Sequence, residues 1–407
     1  MDGNSFIFEY RPGTIHHGPS VVVEIEAELE RRGLSRVLIV TDATLAGIPS
    51  VVDPVCDGIG DRLVGIFDGV TPEKYLKAAY DGARRVRDED VDALVPLGGG
   101  SSLDIAKQIS VLAGHDRPLD DVVEEILERE EMLLPNNEVP LTDILAVPTT
   151  LPGADLSQVA GVKLSVDPEG KSKSEIPSAG VSDSRLMPTV VFYDLELFVT
   201  TPQSVLARSA MNGFDKGIEM LYTKYHNPFT DGTAVRGVRL LHEGLPAITE
   251  ESMSQEELSK VLQGIAAAQY GLSTPDAYRA SVIHSFGHAI ARNYPVQQGV
   301  AHAISAPHVL RYLFEQVDGR RGLLAEALDV RNEGADDEEI AAAVVDAVAE
   351  TRDALSLPSQ LRSVEEAEVS HFPDLAKAVI EDPFMESGPR DLDATQSDVE
   401  AVFEQMW

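Results

Sequence analysis

Ala93-Leu94-Val95-Pro96-Leu97-Gly98-Gly99-Gly100-Ser101-Ser102-Leu103-Asp104-Ile105-Ala106-Lys107 reads as a strand, a glycine turn and the opening of a helix. The apolar run has strand length, and Leu103, Ile105, Ala106 and Ile109 then recur at helical spacing. A helix that starts directly after a strand aims its first N–H groups and its positive end at whatever lies beyond the strand. Glycines lack Cβ, so an anion can come close to the main chain at Gly98, Gly99 and Gly100. Ser101 and Ser102 add hydroxyls, and Lys107 adds a cation one to two turns into the helix. An ordinary strand-to-helix turn needs fewer glycines, so the stretch reads as a phosphate site. Its spacing is neither G-x-G-x-x-G nor G-x-x-x-x-G-K-[ST].

Outward from that turn, strands and helices alternate. Arg36–Asp42, Leu63–Val70, Ile144–Thr150 and Val190–Asp194 read as buried strands, with helices over Val21–Arg32 and Glu73–Arg87. Phe6 to Gly18 reads as two short strands about Pro12-Gly13, and residues 116–137 as an acidic helical insertion. Such alternation implies a parallel sheet with ligands at the carboxyl ends of its strands, where Gly98–Ser102, Thr149 and Thr150 fall. Asp42 ends its strand, where a carboxylate can accept from a ribose 2′-hydroxyl and repel a 2′-phosphate, or cap the next turn. After Thr201-Pro202 the strands stop. Helical periodicity runs through Val205–Tyr222, Ala234–Leu245, Ser254–Tyr270, Tyr278–Ala291, Val300–Phe314, Glu338–Leu355 and Ser397–Met406. The expected architecture is α/β plus all-α, with a dinucleotide-binding domain over 1–201 and a helical catalytic domain over 202–407.

Composition sets further limits. The 407 residues carry 68 acidic and 33 basic side chains, a net charge of −35, yet 43% are hydrophobic. Periodic Val, Leu and Ile exclude a disordered acidic chain. The acidic excess reads as a halophilic solvation shell whose self-repulsion salt screens, and it disfavours nucleic acid and anionic membrane as partners. A single cysteine, Cys56, rules out an internal disulfide and suits a cytoplasmic enzyme, as does the want of a basic leader or a long apolar span.

The glycine stretch resembles the G-G-G-S-x-x-D-x-x-K signature of the iron-dependent alcohol dehydrogenase superfamily, with Asp104 and Lys107 at its Asp and Lys. Pro148-Thr149-Thr150, Leu186-Met187-Pro188-Thr189, His284-Ser285-Phe286-Gly287-His288 and Gly388-Pro389-Arg390 extend the resemblance over nearly the whole chain. It implies a Rossmann-like parallel-sheet domain followed by a helical domain, the dehydroquinate synthase-like fold. It also implies a nicotinamide cofactor, with the glycines on the pyrophosphate and Asp42 favouring NAD over NADP. A small carbonyl or alcohol substrate and a homodimer are expected with it.

The metal pattern departs. The resemblance implies one Asp and three His as ligands, and this chain has Asn212, Lys216, His284 and Gln298 at those positions. Asn and Gln offer a neutral carbonyl oxygen, and a protonated Lys offers nothing. Residues 148–156 and Ala210-Met211-Asn212 are more similar to the maleylacetate reductases, a branch that works without metal. Lys216, His284 and His288 are therefore the expected catalytic residues, with no tightly bound metal. Lys216 would stabilise a developing alkoxide, or else be a solvated lysine paired with Asp215 or Glu219. His288 would supply the proton, or else be a core histidine satisfied by a carbonyl. His302 and His308 read as structural. The alternatives are a metal-dependent alcohol dehydrogenase using His284 and His288 with atypical ligands, or a dinucleotide-binding protein without turnover.

Overall fold

In the computed structural model, which describes residues 6, 8–10, 13–129, 131–164, 177–249 and 253–407, the chain forms two units. One holds the described residues of 11–150 together with Ala154–Thr201. The other holds Pro202–Trp407, Leu151–Gly153 and the described residues of 1–10. The short segment 151–153 thus leaves the first unit to join the second.

The α/β unit runs β1 (Thr14–Gly18), α1 (Ile25–Arg32), β2 (Val37–Asp42), α2 (Ala43–Ala46), α3 (Pro49–Ile59), β3 (Leu63–Val70), α4 (Leu76–Asp88), β4 (Ala93–Gly98), α5 (Gly100–Ala113), α6 (Leu119–Arg129), β5 (Asp143–Pro148), β6 (Val159–Lys163), β7 (Ser178–Ser182), β8 (Val190–Asp194) and α7 (Leu195–Phe198). Its sheet is parallel throughout, in the order β1-β8-β5-β4-β2-β3. Alternation along β2 divides the core. Leu38 and Val40 face α4 and α5 with Leu76, Ala83, Ile105 and Ile109, whereas Val37 and Ile39 face α1 and α3 with Ile25, Leu29 and Val55. The strand order reverses between β2 and β4, which makes the carboxyl ends at Asp42 and Gly98 a topological switch point.

Two expectations are corrected here. Phe8 to Tyr10 form no strand, while Thr14–Gly18 does; Ile7, Arg11 and Pro12 lie outside the described residues. A hairpin of β6 and β7 also interrupts the predicted alternation.

The helical unit contains α8 (Gln203–Tyr222), α9 (Pro228–Gly244), α10 (Gln255–Gln269), β9 (Ser273–Thr274), β10 (Ala277–Tyr278), α11 (Val282–Asn293), α12 (Gln298–Gln316), α13 (Arg321–Ala327), α14 (Asp337–Ala354), α15 (Phe372–Ile380) and α16 (Gln396–Met406). It is not wholly helical, because β9 and β10 make a two-residue antiparallel pair. Residues 210–222 of α8 are all buried, so this helix is the centre of the unit. Glycines let its neighbours close in. A Cβ on Gly213 would stand 2.3 Å from the Leu151 carbonyl oxygen, and one on Gly237 would stand 2.2 Å from the Ala268 nitrogen. Among the described residues no helix is long and apolar enough to cross a membrane.

Gly237→Ala therefore tests the α9–α10 contact, since its methyl meets backbone rather than a movable side chain. Destabilisation of about 1–3 kcal/mol is expected, read as a lower urea midpoint with the m-value unchanged. An unshifted midpoint would show that the helices can separate freely.

Candidate functional site

The turn between β4 and α5 has the properties of an anion cradle. No side chain caps α5, whose N-cap is Gly99. Gly98 has φ +132, and a Cβ there would stand 2.9 Å from both Leu45 Cδ1 and Ser102 Oγ. A Cβ on Gly99 would stand 3.1 Å from Thr150 Oγ1. Only glycine leaves this space open. Thr149 N–H donates to the Gly98 carbonyl at 2.9 Å, and Thr201 Oγ1 donates to the Thr149 carbonyl at 2.9 Å, so the β5 end is tied to the turn. The structure brings Asp42, Gly98–Ser102, Thr149 and Thr150 to adjacent strand ends. Asp42 caps α2, accepting from Thr44 N–H at 2.9 Å and Leu45 N–H at 3.1 Å through Oδ1 alone.

Two residues of the signature lie differently from expectation. Lys107 is fully buried, and its ammonium donates to the carbonyls of Ala154 (2.7 Å), Ser157 (2.6 Å) and Val159 (3.2 Å). A buried cation must be satisfied by fixed oxygens, so Lys107 positions the 154–159 segment instead of reaching a phosphate. Asp104 is paired with Lys74 at 2.8 Å.

In the helical unit, α8 carries Asn212, Asp215, Lys216 and Glu219 into the interior, where water cannot satisfy them. Lys216 is only 6% exposed, and its Nζ donates to the Pro152 carbonyl at 2.6 Å and lies 3.5 Å from Gln269 Oε1. Lys216 is thus not a solvated lysine, and the carboxyls of Asp215 and Glu219 beside it on α8 meet imidazoles. Glu219 Oε2 meets His284 Nδ1 in a short contact, and its Oε1 accepts from His284 N–H at 2.9 Å. Asp215 Oδ2 lies 3.2 Å from Nδ1 of His302. The two rings stand edge to face with centroids 4.3 Å apart, and Gly287 makes the room, since a Cβ there would sit 2.3 Å from the His302 ring.

Burial dominates the protonation of this cluster. It pushes Glu219 up to about 8, and with help from the nearby Glu219 it pushes Asp215 well above the carboxylate range. Burial likewise drives His284 and His302 well below the ordinary histidine value, aided for His284 by Lys216 and then His288, and for His302 by His284, His288 and Lys216. Burial thus favours the neutral form of each of these groups. A protonated Glu219 donates from Oε2 to His284 Nδ1, which places that ring's proton on Nε2, whereas His302 Nε2 faces the Gln298 amide nitrogen at 3.4 Å. His284 Nε2 is buried without a partner, as is Asn212 Oδ1.

His288 sits apart from this pairing, with centroids 6.2 Å from His284, and is not satisfied by a backbone carbonyl. Its Nδ1 is 2.9 Å from Asp382 Oδ2, which also accepts from Arg292 at 3.3 Å. Burial alone would raise Asp382, but the hydrogen bond and charge of His288, the Phe384 N–H and Arg292 hold it below the usual carboxylate value. Asp215, Glu219, His302 and Asp382 were not among the expected site residues. The spacing of Asp215, Lys216 and Glu219 on one helix was a usable signal, whereas nothing local links Asp382 to His288.

These donors do not fit a divalent cation. Asn212 and Gln298 are neutral and Lys216 brings a positive charge, which leaves His284 as the one strong ligand among the four positions. Among the described residues, no group of three or more His, Cys, Asp or Glu is arranged to hold a metal ion.

Sequence comparison decides the family. The pattern described as "Iron-containing alcohol dehydrogenase" matches residues 12–195, and that of "Fe-containing alcohol dehydrogenase family, C-terminal" matches residues 206–407. The chain belongs to the iron-containing alcohol dehydrogenase family. It is an oxidoreductase. It is similar to the lactaldehyde reductase of Escherichia coli K12, at 26% identity over 97% of this chain and 98% of that one. It is also similar to the NAD-dependent methanol dehydrogenase of Bacillus methanolicus, at 26% over 92% and 93%. A maleylacetate reductase of Rhodococcus opacus is a relative at 22% identity over 81% of this chain and 80% of that one. Among solved structures, a 1,3-propanediol oxidoreductase superposes with a TM-score of 0.85 at 24% identity, over 99% of this chain and 100% of that one, and so shares the fold.

The Glu219 shift carries a testable sign. An acid whose native value lies near 8 stays protonated when the unfolded chain, near 4.5, has lost its proton. The native state then binds more protons, so this group lowers stability as pH rises between about 4.5 and 8. Glu219→Gln keeps the shape without the titration. Relative to that variant, wild-type Tm should fall from about pH 5 to 8 and level off above. A parallel Tm profile would contradict the protonated Glu219.

Proposed function

We propose that this protein transfers a hydride between NAD(H) and a small carbonyl or hydroxyl substrate without a tightly bound metal. The observation that carries this reading is the buried ammonium of Lys216 among the positions expected to ligate iron. The relative named as an NAD-dependent methanol dehydrogenase supports the cofactor, as does the open glycine cradle beside Asp42. Gly98, Gly99, Gly100 and the first-turn N–H groups of α5 would hold the pyrophosphate, and the free oxygen of Asp42 would accept from a ribose hydroxyl. Bound nicotinamide supplies the hydride in reduction and accepts it in oxidation.

Reduction of a carbonyl places negative charge on oxygen and then requires a proton. The ammonium of Lys216, buried on α8 and donating to the Pro152 carbonyl, would lend its charge to an alkoxide in a water-poor site. The Nε2–H of His284 is a second donor of the same kind. His288, fixed through Nδ1 by Asp382, has Nε2 for proton transfer. In the oxidative direction His288 Nε2 would take the proton from the alcohol as hydride leaves its carbon for the nicotinamide.

Lys216→Met retains length and apolar packing but removes the charge. The kcat of carbonyl reduction, followed as NADH absorbance, should fall about 10²–10³-fold, the scale of one lost oxyanion donor. NADH affinity should be unchanged. A kcat near that of the wild type would overturn the role of Lys216.

A further inference from the structure

A second site is built into the helical unit on the outer side of α12. His308 and Arg311 of α12, Asp346 and Arg352 of α14, Gln360 of the following loop and Gln405 of α16 line a cavity of about 270 Å³. None of these residues belongs to the catalytic cluster around Lys216.

The cavity is polar and carries unused donors. Arg352 is 8% exposed, and its Nε and Nη2 both donate to one oxygen of Asp353, at 2.8 and 2.7 Å, which leaves Nη1 over. Arg311 makes no hydrogen bond or ion pair with any described residue. His308 Nδ1 is closed to solvent without a partner. Gln360 accepts from Arg362 Nε at 2.9 Å and Nη2 at 2.6 Å through its oxygen, so its NH₂ group can donate. Burial first, then the charges of Arg311 and Arg352, push His308 down to about 4. The two guanidinium groups set positive charge beside the ring in a chain whose net charge is −35.

We infer that this cavity binds a small oxyanion, a carboxylate or a phosphate, between Arg311 and Arg352. Planar guanidinium forks match both groups, and an N–H left over on the little-exposed Arg352 can donate to such a ligand. Asp346 faces the same space and accepts from a hydroxyl of hydrogen phosphate or of a hydroxycarboxylate, while repelling more highly charged anions.

The test uses the full chain with ¹⁵N-labelled histidine at pH 7, titrated with inorganic phosphate or malate against sodium chloride of equal ionic strength. His308 reports locally, so phosphate held at the glycine turn does not enter the reading; His308→Gln assigns its signal. A saturable shift of the His308 ring is expected with phosphate, malate or both, and the effective probe identifies the oxyanion. Arg311 is exposed, so Arg311→Gln should fold normally and weaken the apparent affinity about tenfold or more. The same shift with sodium chloride, no saturable shift with either probe, or equal affinity in Arg311→Gln would overturn the proposal.

Discussion

An ammonium held in the centre of a helical unit governs the chemistry around it. Lys216 lies on the buried part of α8, fixed by the Pro152 carbonyl and close to the Gln269 side chain. Neither oxygen carries a formal charge. Burial favours the protonated forms of Asp215 and Glu219, and burial first, then the same ammonium among other charges, favours neutral His284 and His302. Under the proposed function, this buried ammonium favours a negative charge arriving on substrate oxygen.

Glycines make that environment geometrically possible. Gly213 admits the Leu151 carbonyl to the face of α8, and Gly287 admits the His302 ring beside His284. Gly153 has φ +73, and a Cβ there would fall within 1.7 Å of the Gln269 amide. Segment 151–153 therefore reaches α8 and α10 only because these positions lack side chains. In the α/β unit the same device serves a different end, where Gly98 and Gly99 keep the first turn of α5 open.

Much of this was legible in the sequence. Strands β3 and β8 fall on the expected residues because apolar runs between charged or glycine-rich turns leave few other solutions. The glycine turn and helices α8 to α12, α14 and α16 followed from spacing, whereas the short α13 and α15 did not. Helix α3 did not, because Pro54 interrupts its pattern, nor did the β6–β7 hairpin. The position of Lys107 in the signature says nothing of the three carbonyls to which it donates. The pairing of His288 with Asp382 spans 94 residues, and only tertiary packing brings it about. Asp42 offered two readings; its cap is visible in the structure, and it occupies only one carboxylate oxygen.

The central claim is that a lysine stands in for the divalent ion of this family. Its most direct test is elemental analysis of active protein purified without added metal, with NADH-dependent carbonyl reduction measured before and after exhaustive chelation. The account predicts transition metal far below one equivalent per chain and turnover unaffected by the chelator. Stoichiometric iron or zinc, whose removal abolishes turnover and whose return restores it, would contradict it.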